Sequence, residues 1–358
     1  MDTSDPEITF DKEGICNHCK LYDRNSKYLF SEKELEKEVE KIKQNGKGKK
    51  YDCIIGVSGG VDSTMVAYLT KKFGLRPLAV HLDNGWDSEL AVSNIEKILK
   101  KLDIDLYTYV LDWEEFKDLQ LSFLKASVAN AEIPTDHAIA AVLYNTAINK
   151  GVNYIITGGN IVTEGIIPES WGYHARDLKH LEAVHRRFGK TKLKDFPKLG
   201  LIKWAYGTFI KKIKVIPILN YVPYIKKDAK EFIQKEIGWR DYGLKHYESI
   251  YTRFFQGYIL PRKFGFDKRR AHLSSLINSG QITREEALKE MEKNPYPSEE
   301  LLKEDKEYVI KKLGLTEKEF EDIMAQKVKS YKDYPNDDWF FYNHNLFAFF
   351  KKKVTHNY

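Results

Sequence analysis

Residues 53–69 read Cys53-Ile54-Ile55-Gly56-Val57, then Ser58-Gly59-Gly60-Val61-Asp62-Ser63-Thr64, then Met65-Val66-Ala67-Tyr68-Leu69. That order is an apolar strand, a glycine turn and a helix. Two adjacent glycines let the backbone come close to an anion, and the first N–H groups of the helix have no intrahelical partners. Ser58, Ser63 and Thr64 add hydroxyl donors around the same turn, so the loop is built to hold phosphate. No lysine follows the glycines. Asp62 stands there instead, and since a carboxylate cannot neutralise a polyphosphate, it implies either a bridging Mg²⁺ or a structural cap.

The string resembles the S-G-G-x-D-S signature of the PP-loop ATP pyrophosphatases. That resemblance implies an ATP site in which Ser58, Gly59, Gly60, Val61, Asp62, Ser63 and Thr64 grip the β- and γ-phosphates, with cleavage leaving AMP and pyrophosphate.

The rest of the chain supplies a frame for such a loop. Pro77–Leu82, Leu106–Val110, Val152–Thr157 and Lys214–Ile218 read as further strands, with helical apolar spacing between them. Strand and helix alternating at this length predict an α/β fold, a parallel sheet with helices on both faces. In such sheets ligands bind beyond the carboxyl ends of the strands. Asp83 and the pair Gly158-Gly159 fall on that edge and are expected to frame the nucleotide. For Asp83 the alternative is a turn-forming role. Beyond them, Asn160, Glu164, Trp171 and His174 lie in a polar and aromatic stretch expected to line an acceptor site.

From Lys226 onward strand patterns stop and a C-terminal helical region begins. The expected division is an N-terminal cysteine-pair segment over 1–30, an ATP-binding α/β domain over 31–225 and a helical region over 226–358. Within the last, Gly243–Phe255 gathers Lys245, His246, Glu248 and Arg253 among aromatic residues. The tail carries Phe347-Ala348-Phe349-Phe350 before three lysines and is expected to pack as an aromatic helix on the body.

Cys16 and Cys19 form a C-x-x-C pair that resembles half of a zinc knuckle. A tetrahedral structural site needs four ligands, and no second pair exists in the sequence. Candidates for completing a Zn²⁺ site are His18, a distant histidine or another molecule. Residues 1–24 show few helix-favouring patterns, which weakens a redox reading. With only three cysteines, a disulfide framework is not expected, and the acidic N-terminus lacks a signal-peptide pattern, so a cytoplasmic protein with no membrane partner is expected. A net charge of +6 from 58 basic and 52 acidic residues suits anionic small molecules, and no nucleic-acid partner is expected.

Met1–Phe10 with Cys16–Cys19, Val57–Thr64, Thr157–Tyr173, Gly238–Phe255 and Arg262–Leu276 together resemble the N-acetyl sugar amidotransferase family of the PP-loop group. The resemblance implies the adenine nucleotide alpha hydrolase-like version of the α/β fold. It also implies an ATP- and Mg²⁺-dependent enzyme of surface-polysaccharide or flagellin-sugar biosynthesis, converting an acetamido group of a nucleotide-linked sugar to acetamidino. Its ammonia would come from a glutaminase subunit with a cyclase-like companion, since no glutaminase signature is present. Asp62 would act at the phosphates, Glu164 or His246 would deprotonate the nucleophile, and Lys245 and Arg253 would meet phosphate charge. The family pattern usually has another C-x-x-C just ahead of Met1, so the zinc knuckle is incomplete within these residues. Rival readings are a PP-loop tRNA-thiolating enzyme, which would want a reactive cysteine at the pocket, and a non-catalytic ATP-binding scaffold.

Overall fold

The computed structural model describes residues 1–27, 29, 31–243 and 247–341. Lys245, His246 and the Phe347–Lys353 tail lie outside the described residues. The elements run α1 (Asn17–Ser26), α2 (Glu32–Asn45), β1 (Cys53–Gly56), α3 (Val61–Lys72), β2 (Pro77–Asp83), α4 (Glu89–Leu102), β3 (Asp105–Val110), α5 (Trp113–Ala126), α6 (Ile133–Lys150), β4 (Tyr154–Thr157) and α7 (Ile161–Glu164). They continue with α8 (Leu178–Phe188), α9 (Leu201–Ala205), β5 (Lys214–Pro217), α10 (Lys226–Ile237), α11 (Ile250–Phe254), α12 (Arg269–Asn278), α13 (Arg284–Glu292), α14 (Glu299–Leu313), α15 (Glu317–Ala325) and α16 (Asp338–Phe341).

The five strands form one parallel sheet in the order β3-β2-β1-β4-β5. Strand side chains alternate between faces, and the core follows that alternation. Cys53, Ile55, Ala79 and Ile156 pack toward α2, α3, α4 and α10. Ile54, Leu78, Val80 and Ile155 pack toward α6. The sheet is therefore covered on both faces, which explains why its central strands are apolar runs without polar alternation. In α2, a Ser31–Glu34 capping box opens the helix, and Leu35, Val39 and Ile42 form its buried stripe. Each such side chain contributes about 1.5–3 kcal/mol on burial.

The chain leaves β1 toward β2 and β3, then returns through α5 and α6 to lay β4 on the other side of β1. Strand order thus reverses between β1 and β4, with Ile54 opposite Ile155 and Ile55 opposite Ile156. The loops after β1 and β4 meet at this switch point, where a ligand crevice is expected.

The helices beyond Lys226 are not packed only among themselves. One hydrophobic cluster joins Tyr251, Phe254, Phe255, Val309 and Phe320 to Trp86, Phe116, Phe123 and Trp171. A short backbone bridge pairs Asp87 with Ser249, flanked by hydrogen bonds from Ser88 N to Glu248 O (2.9 Å) and from Ile250 N to Trp86 O (2.9 Å).

The absence of a helix after the cysteine pair is corrected by the structure. Cys16 is the N-cap of α1, its sulfur accepting from Cys19 N, and Tyr22 on that helix is buried against Gly165. Among the described residues no helix is long and apolar enough to cross a membrane.

Candidate active site at the glycine loop

Gly60 is the N-cap of α3 and has no side chain to close the helix end. Within the loop the Ser58 N–H donates to Ser63 Oγ at 3.3 Å and the Gly60 N–H to Ser58 Oγ at 3.4 Å. Gly59 has φ +77°, and a Cβ placed there would meet Ala91 O at 2.6 Å. Only glycine lets the loop rest on the first turn of α4. Ser58 and Ser63 bring their hydroxyl oxygens within 3.3 Å of each other, with Ser58 exposed. Thr64 is placed differently from the expectation of a ligand donor. It is fully buried, and its hydroxyl donates to Gly60 O at 2.7 Å.

The second wall comes from β4. A Cβ on Gly158 would lie 3.2 Å from Asp62, whereas one on Gly159 would meet nothing within 4 Å. Gly158 thus seats the Asp62 backbone and Gly159 borders open space. Asn160 caps α7, accepting from Thr163 N at 2.8 Å while donating to Gly158 O at 3.1 Å. Its amide is occupied in shaping the turn. Glu164, at the end of α7, enters the cavity.

A third wall, from the C-terminal part of the chain, encloses a cavity of about 220 Å³. Trp239 is buried and donates from Nε1 to Gly59 O at 2.7 Å. The Asn94 amide clamps the neighbouring backbone, donating to Arg240 O at 2.8 Å and accepting from Arg240 N at 2.9 Å. The Tyr242 hydroxyl and Glu248 Oε1 lie 3.1 and 3.4 Å from where a Gly60 Cβ would sit. Tyr224 donates its hydroxyl to Asp62 Oδ1. Burial and then the Asp62 carboxylate push the Tyr224 pKa up; burial, then Glu248 and Asp62, do the same for Tyr242. Both phenols therefore remain protonated donors. Lys226 and Lys230 reach the same cavity, and Lys230 pairs with Asp241 at 2.5 Å.

None of Tyr224, Lys226, Lys230, Trp239 or Tyr242 was singled out from sequence, and Glu248 was noted only as the carboxylate of a mixed cluster. The resemblance covered Gly238–Phe255 as a stretch. The polar and aromatic run Trp239-Arg240-Asp241-Tyr242-Gly243 just past α10 was the available signal.

Other expected site residues fall elsewhere. Asp83 Oδ1 accepts from Gly85 N at 2.8 Å, the geometry of a turn former. Trp171 is stacked on Phe266 at 4.4 Å. His174 stacks on Phe341 at 4.3 Å, and burial followed by the Arg176 charge pushes its pKa down to about 3, so it is neutral at physiological pH. Trp171 and His174 do line one cavity of about 350 Å³, with Glu132, Asp136 and Lys268. The segment from Glu164 to Ala175 runs from the loop cavity to this second one. Arg253 requires a correction. Its guanidinium makes a two-point pair with Asp305, at 2.6 and 2.7 Å, and the Tyr296 hydroxyl donates to the same carboxylate at 2.8 Å. A buried carboxylate demands that charge, so Arg253 ties α11 to α14 and is not among the residues lining the loop cavity.

The zinc expectation is also corrected. Cys16 and Cys19 bring their sulfurs to 3.4 Å, but His18 Nε2 is held by Asp5 at 2.5 Å. Among the described residues no three metal-binding side chains converge, so two thiols stand where four ligands are needed.

Residues 31–191 match the family model of NAD synthase, and residues 248–346 match that of the LPS biosynthesis protein WbpG-like C-terminal domain. Together the two matches support an N-acetyl sugar amidotransferase-like PP-loop protein. The NAD synthase match covers the glycine loop, β4 and Glu164; the WbpG-like match opens on Glu248, at the third wall of the cavity. The chain is 27% identical over 303 residues to Uncharacterized protein MJ1599 of Methanocaldococcus jannaschii, covering 82% of this chain and 90% of that one.

Among solved structures it is similar to NMN synthetase from Francisella tularensis, at 16% identity and TM-score 0.31, covering 60% of this chain and 98% of that one. NH3-dependent NAD synthetase from Campylobacter jejuni, in complex with the nitrate ion, gives 15% and 0.28, covering 64% and 100%. A predicted subunit of tRNA methyltransferase from Methanocaldococcus jannaschii gives 15% and 0.29, covering 50% and 74%. Scores this low carry no weight for function, and the fold rests on the strand order above.

Proposed function

We propose that this chain is a cytoplasmic, ATP-dependent, AMP-forming amidotransferase that converts an acetamido group of a nucleotide-linked sugar to acetamidino in surface-polysaccharide or flagellin-glycan synthesis. Ammonia would come from a glutaminase subunit with a cyclase-like companion. The observation that carries the reading is the lysine-free glycine loop at the β1/β4 switch point, facing Asp62, Glu164 and Glu248 in one cavity. The WbpG-like match over the C-terminal region supports a sugar-related acceptor.

An amide carbon is a weak electrophile and its oxygen a poor leaving group. In the proposed reaction the amide oxygen attacks the α-phosphorus of ATP, the bond to the bridging oxygen breaks, and pyrophosphate leaves. Ammonia then adds to the imidate carbon, a proton passes to a base, and the C–O bond breaks with AMP taking the electron pair. The Ser58 and Ser63 hydroxyls, which line the cavity at the N-terminus of α3, are proposed to hold the departing pyrophosphate. Tyr224 orients Asp62. Glu164 is the described candidate for the base; Lys245 and His246 are proposed for phosphate charge and as the alternative base. Asp62 is a hard oxygen donor that suits Mg²⁺, which takes one or two carboxylates along with phosphate oxygens and would neutralise the polyphosphate. The cavity lined by Trp171, His174 and Lys268 is proposed for the acceptor sugar.

Thiolation gains no support, because Cys53 is fully buried in β1 and burial pushes its thiol pKa up. The test supplies ATP, Mg²⁺, ammonium and a UDP-linked acetamido sugar. AMP and pyrophosphate should appear together with a sugar lighter by the difference between O and NH. Release of ADP, or AMP with an unchanged sugar, would sink the reading.

A further inference from the structure

On the strand at the far edge of the sheet, β5, the preceding turns leave apolar side chains outside. Ile202 is 89% exposed and Ile210 68%, with Tyr206 at 42%. They recur every four residues along one helical segment that runs through α9 and the wider turn Tyr206–Ile210, so they lie along one side, while Phe209 packs on Trp204 at 5.9 Å. Single exposed apolar residues need no explanation, but a contiguous set on one face does.

The segment itself is rich in lysine. Between Asp195 and Asp228 the sequence has no acidic residue, while Lys203, Lys211, Lys212 and Lys214 fall in or beside the segment, all exposed. The Lys211 ammonium sits 5.6 Å from the Tyr206 ring, which puts it on the apolar face itself. Trp204, at the inner side, holds Phe340 at 5.9 Å, and the adjacent Trp339 is 60% exposed. The chain beyond Phe341 also lacks acidic residues and includes Phe347, Phe349, Phe350 and Lys351–Lys353.

We propose that this face docks on an anionic lipid surface, with Ile202, Tyr206 and Ile210 entering the headgroup boundary and Lys203, Lys211 and Lys212 meeting lipid phosphates. Aliphatic tips this exposed would gain nothing from a nucleic-acid backbone, whereas an apolar face ringed by lysines matches the two layers of a bilayer interface. The long lysine stems lie along apolar surface while their charges stay in the headgroup layer. The contact is peripheral.

The full-length protein is sedimented with vesicles of phosphatidylcholine alone and of phosphatidylcholine mixed with phosphatidylglycerol. Sedimentation should be at least about fivefold greater with the anionic vesicles and should fall with added salt. It should be lost in an Ile202→Ser/Ile210→Ser variant and in a Lys203→Glu/Lys211→Glu variant. Far-UV circular dichroism should be unchanged in both, because all four side chains are exposed. No enrichment on anionic vesicles, or retention by both variants, overturns the proposal. So does a shift of single-stranded RNA in a native gel that disappears in the same variants, which would assign the face to nucleic acid.

Discussion

The Tyr224 hydroxyl donates to Asp62 Oδ1 across 162 residues of chain, joining the segment after β5 to the first turn of α3. The phenol thus fixes one oxygen of a carboxylate that lines the loop cavity. Gln281 in turn holds this segment, donating to Tyr224 O at 3.0 Å and accepting from Lys226 N at 3.0 Å.

Removing that hydroxyl should therefore free Asp62 to rotate without emptying the core. For Tyr224→Phe a charge-assisted hydrogen bond worth about 1.5–3 kcal/mol is lost, so kcat/KM for AMP formation should fall roughly ten- to hundredfold. The far-UV spectrum should be unchanged. Asp62→Ala should abolish AMP formation altogether. If Tyr224→Phe turns over at the wild-type rate, the phenol has no part in positioning the carboxylate.

The two glycine pairs should separate folding from binding. Gly59→Ala forces a side chain into the left-handed region and against Ala91 O, costing about 2 kcal/mol or more and lowering the melting temperature. Gly159→Ala has free space for its methyl group, so its stability should stay within about 0.5 kcal/mol of wild type. The same methyl points toward the loop cavity and should weaken ATP binding by calorimetry. Equal melting temperatures for the two variants would show that the loop does not rest on α4.

Arg253 should behave as a structural residue. Arg253→Ala leaves Asp305 buried without its cation and should destabilise the fold by about 3–5 kcal/mol in urea unfolding. An Arg253→Met/Asp305→Leu pair removes both charges and should recover most of that loss. A substrate-phosphate role predicts the opposite pattern, a raised KM with unaltered stability.

These contrasts show which parts of the site could be seen in the chain. The strand, the glycines and the cap of α3 are neighbours in sequence, so Ser58–Thr64 declared its geometry locally, and the strands were legible from their apolar runs. The third wall was not, because Trp239, Tyr242 and Glu248 reach the loop only through long-range contacts: the Asn94 clamp and the Asp87–Ser249 bridge. Arg253 looked like a phosphate ligand because its partner lies 52 positions away. Asn160 and Asp83 illustrate a different limit. Short polar side chains beside a turn serve the backbone as readily as a ligand, and spacing alone does not distinguish the two.

His81 should make the loop sensitive to pH. It is buried at the end of β2, with Nδ1 3.0 Å from Val57 O and Nε2 3.2 Å from Asp87 Oδ2. Burial opposes the charged ring, but Asp87, the Val57 carbonyl and Asp83 outweigh it and hold the pKa above the usual histidine value. Both ring nitrogens face acceptors, which only the imidazolium can satisfy. The ring thereby links the residue just before Ser58 to the bridge that carries Glu248. Because the folded pKa is raised, this stabilisation is fully present below the unfolded value of about 6.5 and disappears as pH rises through the folded pKa. The melting temperature should fall over that alkaline window, and AMP formation should decline with it. In His81→Gln both slopes should flatten, since an amide cannot titrate there. A wild-type melting temperature that is level from pH about 6 to 9, or a variant with the same decline, would remove His81 from any role in holding the loop to its third wall.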